Sequence, residues 1–146
     1  MIDFRKAWLP QLVGYAELVA DESMLAKAWL EGDRSQTSVI DYTEFFEQVL
    51  GDMHAEEVRN SLARHLSGNF HLQRAVDGFI CAISQTENWV NEQPSRPTAN
   101  EVLKSQQWNA SQERAVEVLV HARDAGISSS DFNPGNSEDN SRGQNT

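Results

Sequence analysis

Val39-Ile-Asp-Tyr-Thr-Glu-Phe-Phe-Glu-Gln-Val-Leu50 is the stretch on which the reading of the fold turns. Stepping about 100° per residue, Val39, Tyr42, Phe46, Val49 and Leu50 share one arc, whereas Asp41, Glu44, Glu47 and Gln48 occupy the opposite one. An apolar stripe of that period buries itself as an amphipathic helix, and the outer face of this one is acidic. Further along, Gly78-Phe-Ile-Cys-Ala-Ile83 is apolar nearly all round. That places it at the centre of a helical bundle, with Cys81 as a small buried hydrophobe rather than a nucleophile.

The punctuation on either side is helical too. Gly32, Gly51, Gly68 and Gly126 stand where a helix closes its last turn on a residue at positive φ. Starts are marked by Asp21, by Ser38 ahead of Asp41, by Asp52, by Asn69, and by Thr98 ahead of Glu101, which has the spacing of a capping box. Pro94 and Pro97 end the segment opened at Asn69. No run alternates apolar and polar residues with β-branched enrichment, so no strand is expected. These signals predict about six or seven helices, over 3–19 with a bend at Pro10, 22–31, 39–50, 53–66, 70–91, 99–107 and 110–125. The expected class is all-α, a single compact bundle occupying 1–127. Between Ser128 and Thr146 the one large apolar side chain is Phe132, too little to offset the entropy of ordering, which predicts a disordered polar tail over 128–146.

The chain has 146 residues, a one-domain length, and its 22 Asp and Glu against 12 Lys and Arg leave a formal net charge of -10. Neutralising phosphates takes Lys and Arg gathered on one face, so direct nucleic-acid binding is not expected. No uncharged apolar run approaches the roughly 18 residues of a membrane span. Asp3 and Glu17 fall where a secretory signal would be basic and then apolar. Together with a single cysteine, this predicts a cytoplasmic protein.

Chemistry by motif is not apparent. His54, His65, His71 and His121 include no pair at the helical spacing that a zinc site uses, so no metal is expected and they read as surface or capping histidines. No nucleophile elbow surrounds a serine, Cys81 lies mid-helix, and the scattered glycines form no phosphate-cradling loop. The expectation is a protein that is not an enzyme and carries no cofactor. Trp8, Trp29, Trp89 and Trp108 read as core anchors, each burying a large ring with its indole N–H satisfied at the edge.

Charge placement is the informative feature. From Glu17 to Glu57 there are eleven acids against two bases, Lys27 and Arg34, a net of minus nine. A field of one sign speeds encounter with a basic partner and suppresses wrong ones. Ile40 points into the acidic arc, as an apolar anchor ringed by carboxylates would. Charge and helical phase thus nominate Asp33, Ile40, Asp41, Glu44, Glu47, Asp52 and Glu56 as a partner-binding surface.

The run Lys27-Ala-Trp-Leu-Glu-Gly-Asp-Arg-Ser-Gln-Thr-Ser-Val39, followed by Tyr42-Thr-Glu-Phe-Phe-Glu-Gln-Val-Leu-Gly-Asp52, resembles the small helical immunity proteins of contact-dependent growth inhibition and related polymorphic toxin systems. The resemblance implies a cytoplasmic inhibitor that binds the C-terminal domain of one cognate toxin, often a nuclease, and covers its active site. A nuclease presents a basic cleft to phosphates, which an acidic face can occupy instead of the substrate. The alternative from another class is an acidic adaptor, or a nucleic-acid mimic, that binds a basic protein.

Overall fold

In the computed structural model, which describes residues 4–31 and 41–131, helices begin where short polar side chains accept the first backbone N–H groups. Asn69 caps α6 (Phe70–Glu92) by accepting from the Leu72 amide at 3.1 Å. Thr98 and Glu101 form a reciprocal capping box at the head of α7 (Ala99–Leu103), with bonds of 3.1 and 2.8 Å. Ser105 caps α8 (Gln106–Asp124) through the Trp108 amide at 3.1 Å. At the far end of α8, Gly126 takes φ +76°. The amides of Gly126 and Ile127 bond the carbonyls of Arg123 and Ala122 at 3.0 and 2.8 Å, a Schellman closure that turns Ile127 back onto the core.

The protein is an all-α compact bundle, and no strand occurs among the described residues. A π-helical turn, Phe4–Trp8, runs into α1 (Leu9–Ala20), followed by α2 (Glu22–Glu31), α3 (Tyr42–Phe46) and a second π turn, Glu47–Asp52. Two short helices, α4 (Ala55–Arg59) and α5 (Leu62–His65), precede the long α6, then α7 and α8, and a 3-10 turn at Ser129–Asp131. The axis of the fold is the α6–α8 pair. The two helices run antiparallel, as contacts of His71 with His121, Gly78 with Arg114 and Thr86 with Ser111 require. Helix α6 buries Leu72, Ala75, Val76, Phe79, Ile80, Ile83, Thr86 and Val90, a stripe of helical period. Opposite it, Ser111, Ala115 and Ala122 on α8 are small and buried, which lets neighbouring helices approach closely. Helix α1 packs on α8 as well, and Gln112 Nε2 donates to the Val19 carbonyl at 3.5 Å.

Aromatic rings fill the space between these helices and α2–α3. Trp108 meets Trp29 and Phe45 at centroid distances of 5.1 and 5.6 Å. Trp8, Trp29 and Trp108 are all buried, and Trp8 donates its indole N–H to the Met53 carbonyl at 2.8 Å. Trp29 departs from the expected pattern, since its buried Nε1 has no partner among the described residues. Trp89 is only partly buried, at the margin of the core. The Tyr42 hydroxyl donates to the Pro97 carbonyl, and Arg96 lies 4.5 Å from the centroid of the Tyr42 ring.

Several expected boundaries move. The helix expected over 39–50 is α3 with its cap at Asp41, and then a π turn. Ser38, its expected start, and Gly32, the expected stop of α2, lie outside the described residues. The helix expected over 53–66 starts only after His54, whose left-handed conformation (φ 52°, ψ 44°) redirects the chain between the π turn and α4, and it is two pieces, broken at Asn60–Ser61, where Ser61 leaves helical geometry (φ -114°, ψ 11°) between α4 and α5. The break expected near 107–110 is absent: Ser105 opens one continuous α8. Cys81 is half-exposed rather than buried, because its side of α6 faces a cleft instead of the core. Ser129–Asp131, expected to belong to the tail, are a 3-10 turn against α1, with Ser129 Oγ donating to Glu17 Oε1 at 2.7 Å. The rest of the expected tail, 132–146, lies outside the described residues.

Candidate functional site

Of the residues nominated from the sequence, Asp33 and Ile40 lie outside the described residues, so the exposure expected of Ile40 is not placed. Asp41 is half-buried, and its carboxylate accepts from the Glu44 amide at 2.7 Å. It therefore caps α3, in addition to its nomination as a partner-binding residue. Glu44, Glu47 and Asp52 come together. With Gln48 and Gly51 they line a shallow depression of about 470 Å³ that brings three carboxylates together. Glu47 and Asp52 are exposed, Glu44 half-buried. Glu56 is exposed on α4 and pairs with Arg59 at 3.4 Å, outside this depression.

The backbone explains why those carboxylates converge. Five residues of an α-helix turn about 500°, leaving positions 47 and 52 about 140° apart. Over Glu47–Asp52 the chain is π-helical, and the Met53 amide bonds the carbonyl of Gln48 at 3.0 Å. Bonding of that i to i+5 kind brings residues five apart onto one side. On the inner side, the Tyr15 hydroxyl donates to Gln48 Oε1 at 2.8 Å and fixes that side chain under the depression. Burial raises the Tyr15 phenol above its ordinary range; a hydrogen bond with Gln11 opposes the shift and the charge of Asp52 adds to it.

A second concavity was not legible in the sequence. Between the outer edges of α6 and α8, with Arg59 of α4 at its rim, lies a cleft of about 670 Å³. Arg59 Nε donates to Asp77 Oδ1 at 2.6 Å, and this bond holds the guanidinium above its ordinary range although partial burial opposes it. Arg114 Nη1 donates to Glu117 Oε1 at 3.1 Å. The Arg114 side chain lies against the backbone of Gly78, where an added Cβ would come 3.3 Å from its Cδ. His71 and His121, fifty positions apart in sequence, stack with centroids 5.6 Å apart and an interplanar angle of 13°. Cys81 also lines the cleft and accepts a weak bond from Gln85 Nε2 at 3.6 Å.

Among the described residues, no three His, Cys, Asp or Glu side chains converge as metal ligands. No helix among them is long and apolar enough to cross a membrane. Compared with protein families, curated proteins and solved structures, the chain matches none.

Proposed function

We propose that this protein is an immunity protein, which binds a basic toxin domain, a nuclease in the simplest case, and blocks its substrate cleft without doing chemistry. The observation that carries the reading is the depression at the end of α3, where the carboxylates of Glu44, Glu47 and Asp52 meet. The concentration of acids between Glu17 and Glu57 and the sequence resemblance over 27–52 support it. In this reading the carboxylates take the place of substrate phosphates, and the π turn, with Gln48 held by the Tyr15 hydroxyl, sets Glu47 and Asp52 on one side before the partner arrives. Preorganised charges of one sign raise the association rate, and their effect weakens as salt screens them. Glu56, committed to Arg59, contributes to the field rather than to direct contact.

The test is protection of bacterial cells, and binding in vitro, against the toxin domain encoded beside this gene. Glu47→Lys with Asp52→Lys should lower the association rate by about tenfold or more and flatten its salt dependence. The fold should remain intact, since both side chains are exposed. Glu113→Lys with Asp124→Lys on α8, also exposed, should leave protection unchanged. Full protection by the Glu47/Asp52 double variant would sink the proposal.

A further inference from the structure

The cleft between α6 and α8 gathers more basic than acidic side chains in a chain whose net charge is acidic. Of the 12 Lys and Arg in a chain of net charge -10, Arg59, Arg74 and Arg114 line this one concavity, together with His71 and His121. Its carboxylates, Asp77 and Glu117, are each already engaged with one of these arginines. Arg74 is different: its guanidinium lies 5.6 Å from the centroid of the exposed Phe70 ring, and it has no carboxylate partner among the described residues. The cleft thus has two guanidiniums held in position and one not neutralised.

A solvated surface would explain arginines paired with acids, but two features go beyond it. Gly78 sits inside a 23-residue helix, where glycine is disfavoured relative to alanine. Its missing side chain gives the Arg114 guanidinium a bed on the α6 backbone, with Nε and Cζ 3.5 and 3.6 Å from where a Cβ would be. The stacked imidazoles of His71 and His121 add N–H donors at one end of the same cleft, one from each ring even in the neutral form. A planar guanidinium offers a fork of N–H groups that matches phosphate oxygens bidentately. The volume, about 670 Å³, lies within the range of pockets that hold organic ligands and leaves room well beyond one phosphate group.

We infer that the α6–α8 cleft binds a phosphate-bearing organic molecule of nucleotide size, its phosphate held by Arg74 and Arg114 beside His71 and His121. Arg59, tied to Asp77, shapes the rim. The rest of the ligand extends along the polar floor past Gly78 toward Cys81 and Gln85. This site is separate from the acidic depression, and its test needs no toxin partner.

The experiment is a titration of the full chain, followed by amide NMR and calorimetry at fixed ionic strength, with ATP, ribose 5-phosphate and inorganic phosphate in parallel. The expected result is saturable shifts confined to the α6–α8 edges, with ATP or ribose 5-phosphate binding more tightly than inorganic phosphate. Arg74→Gln, a change at an exposed side chain, should weaken that binding about tenfold or more. Gly78→Leu should abolish it by occupying the bed of Arg114. If Gly78→Leu does not fold, Arg114→Gln gives the same test. Absence of shifts at millimolar ligand, equal binding by inorganic phosphate, or unchanged affinity in Arg74→Gln would each overturn the inference.

Discussion

Replacing Gly78 by alanine measures how firmly Arg114 lies on α6. In a helix interior alanine is favoured over glycine by about 0.8–1.0 kcal/mol. At Gly78 the new Cβ would stand 3.3 Å from Arg114 Cδ, so the arginine must yield by a few tenths of an ångström. Its side chain is about half exposed, with a relative accessibility of 51%, and it can swing outward. The loss is then the contact with α6 and the exposed pair with Glu117, about 0.2–0.5 kcal/mol. The net expectation is a stabilisation of about 0.5 kcal/mol, or roughly 1–3 °C in thermal midpoint for a domain of this size. Gly14 in α1 is the internal standard, because a Cβ there meets nothing closer than Ser129 Cβ at 3.7 Å, ordinary contact. Gly14→Ala should therefore gain the full increment, about 1 kcal/mol. Urea and thermal unfolding of both variants, and of Gly78→Ala made in an Arg114→Ala background, complete the comparison. In that background the Gly78 gain should rise to match that at Gly14. Equal gains in the two single variants would mean that Arg114 does not rest on α6. A loss of more than about 1 kcal/mol at Gly78 would mean that the α6–α8 edge cannot yield at all.

Asp41→Ala should cost about 1 kcal/mol in thermal unfolding, and Asp41→Asn should recover most of it, because the side chain caps α3 through the Glu44 amide; an unchanged midpoint for the alanine variant would contradict the capping role. Truncation after Ile127 should cost up to about 1 kcal/mol of stability relative to truncation after Asp131, through loss of the Ser129–Glu17 bond; equal stabilities of the two truncated forms in urea unfolding would count against that contact. Asp21 is held below the usual carboxylate range, first by the Ser23 hydroxyl and then by the Met24 amide. A depressed folded-state value stabilises above the unfolded carboxylate range and is lost as pH falls through the folded one, so Asp21→Asn should make the decline of stability below about pH 4 shallower; an unaltered acid limb in a pH series of urea unfolding would refute this.

What the sequence disclosed and what it withheld divide along a physical line. Asn69, the Thr98–Glu101 box and Gly126 act within one turn of chain, and each works in the structure as local chemistry predicts. The central place of α6 was legible from its apolar run, of which Phe79, Ile80, Ala82 and Ile83 are buried. The wheel failed where its premise of 3.6 residues per turn failed. Glu47–Asp52 is π-helical and His54 is left-handed, so Asp52 joined the acidic depression by geometry that no α-helical projection contains. The second cleft was hidden by distance instead. His71 and His121, or Gly78 and Arg114, become neighbours only once α6 and α8 lie antiparallel, and nothing local to either helix announces the partner. Cys81 was misplaced on the same account, since a small apolar residue at the margin of a buried stripe is assigned inward until the neighbouring edge is known. Both concavities thus occupy places where single-helix rules stop: one where the helix changes its pitch, the other where two exposed helix edges meet. The acidic one depends on a short local irregularity and the basic one on the main packing of the fold. Loosening the π turn should therefore disable the first while sparing the second, a separation that neither surface charge nor overall stability would produce.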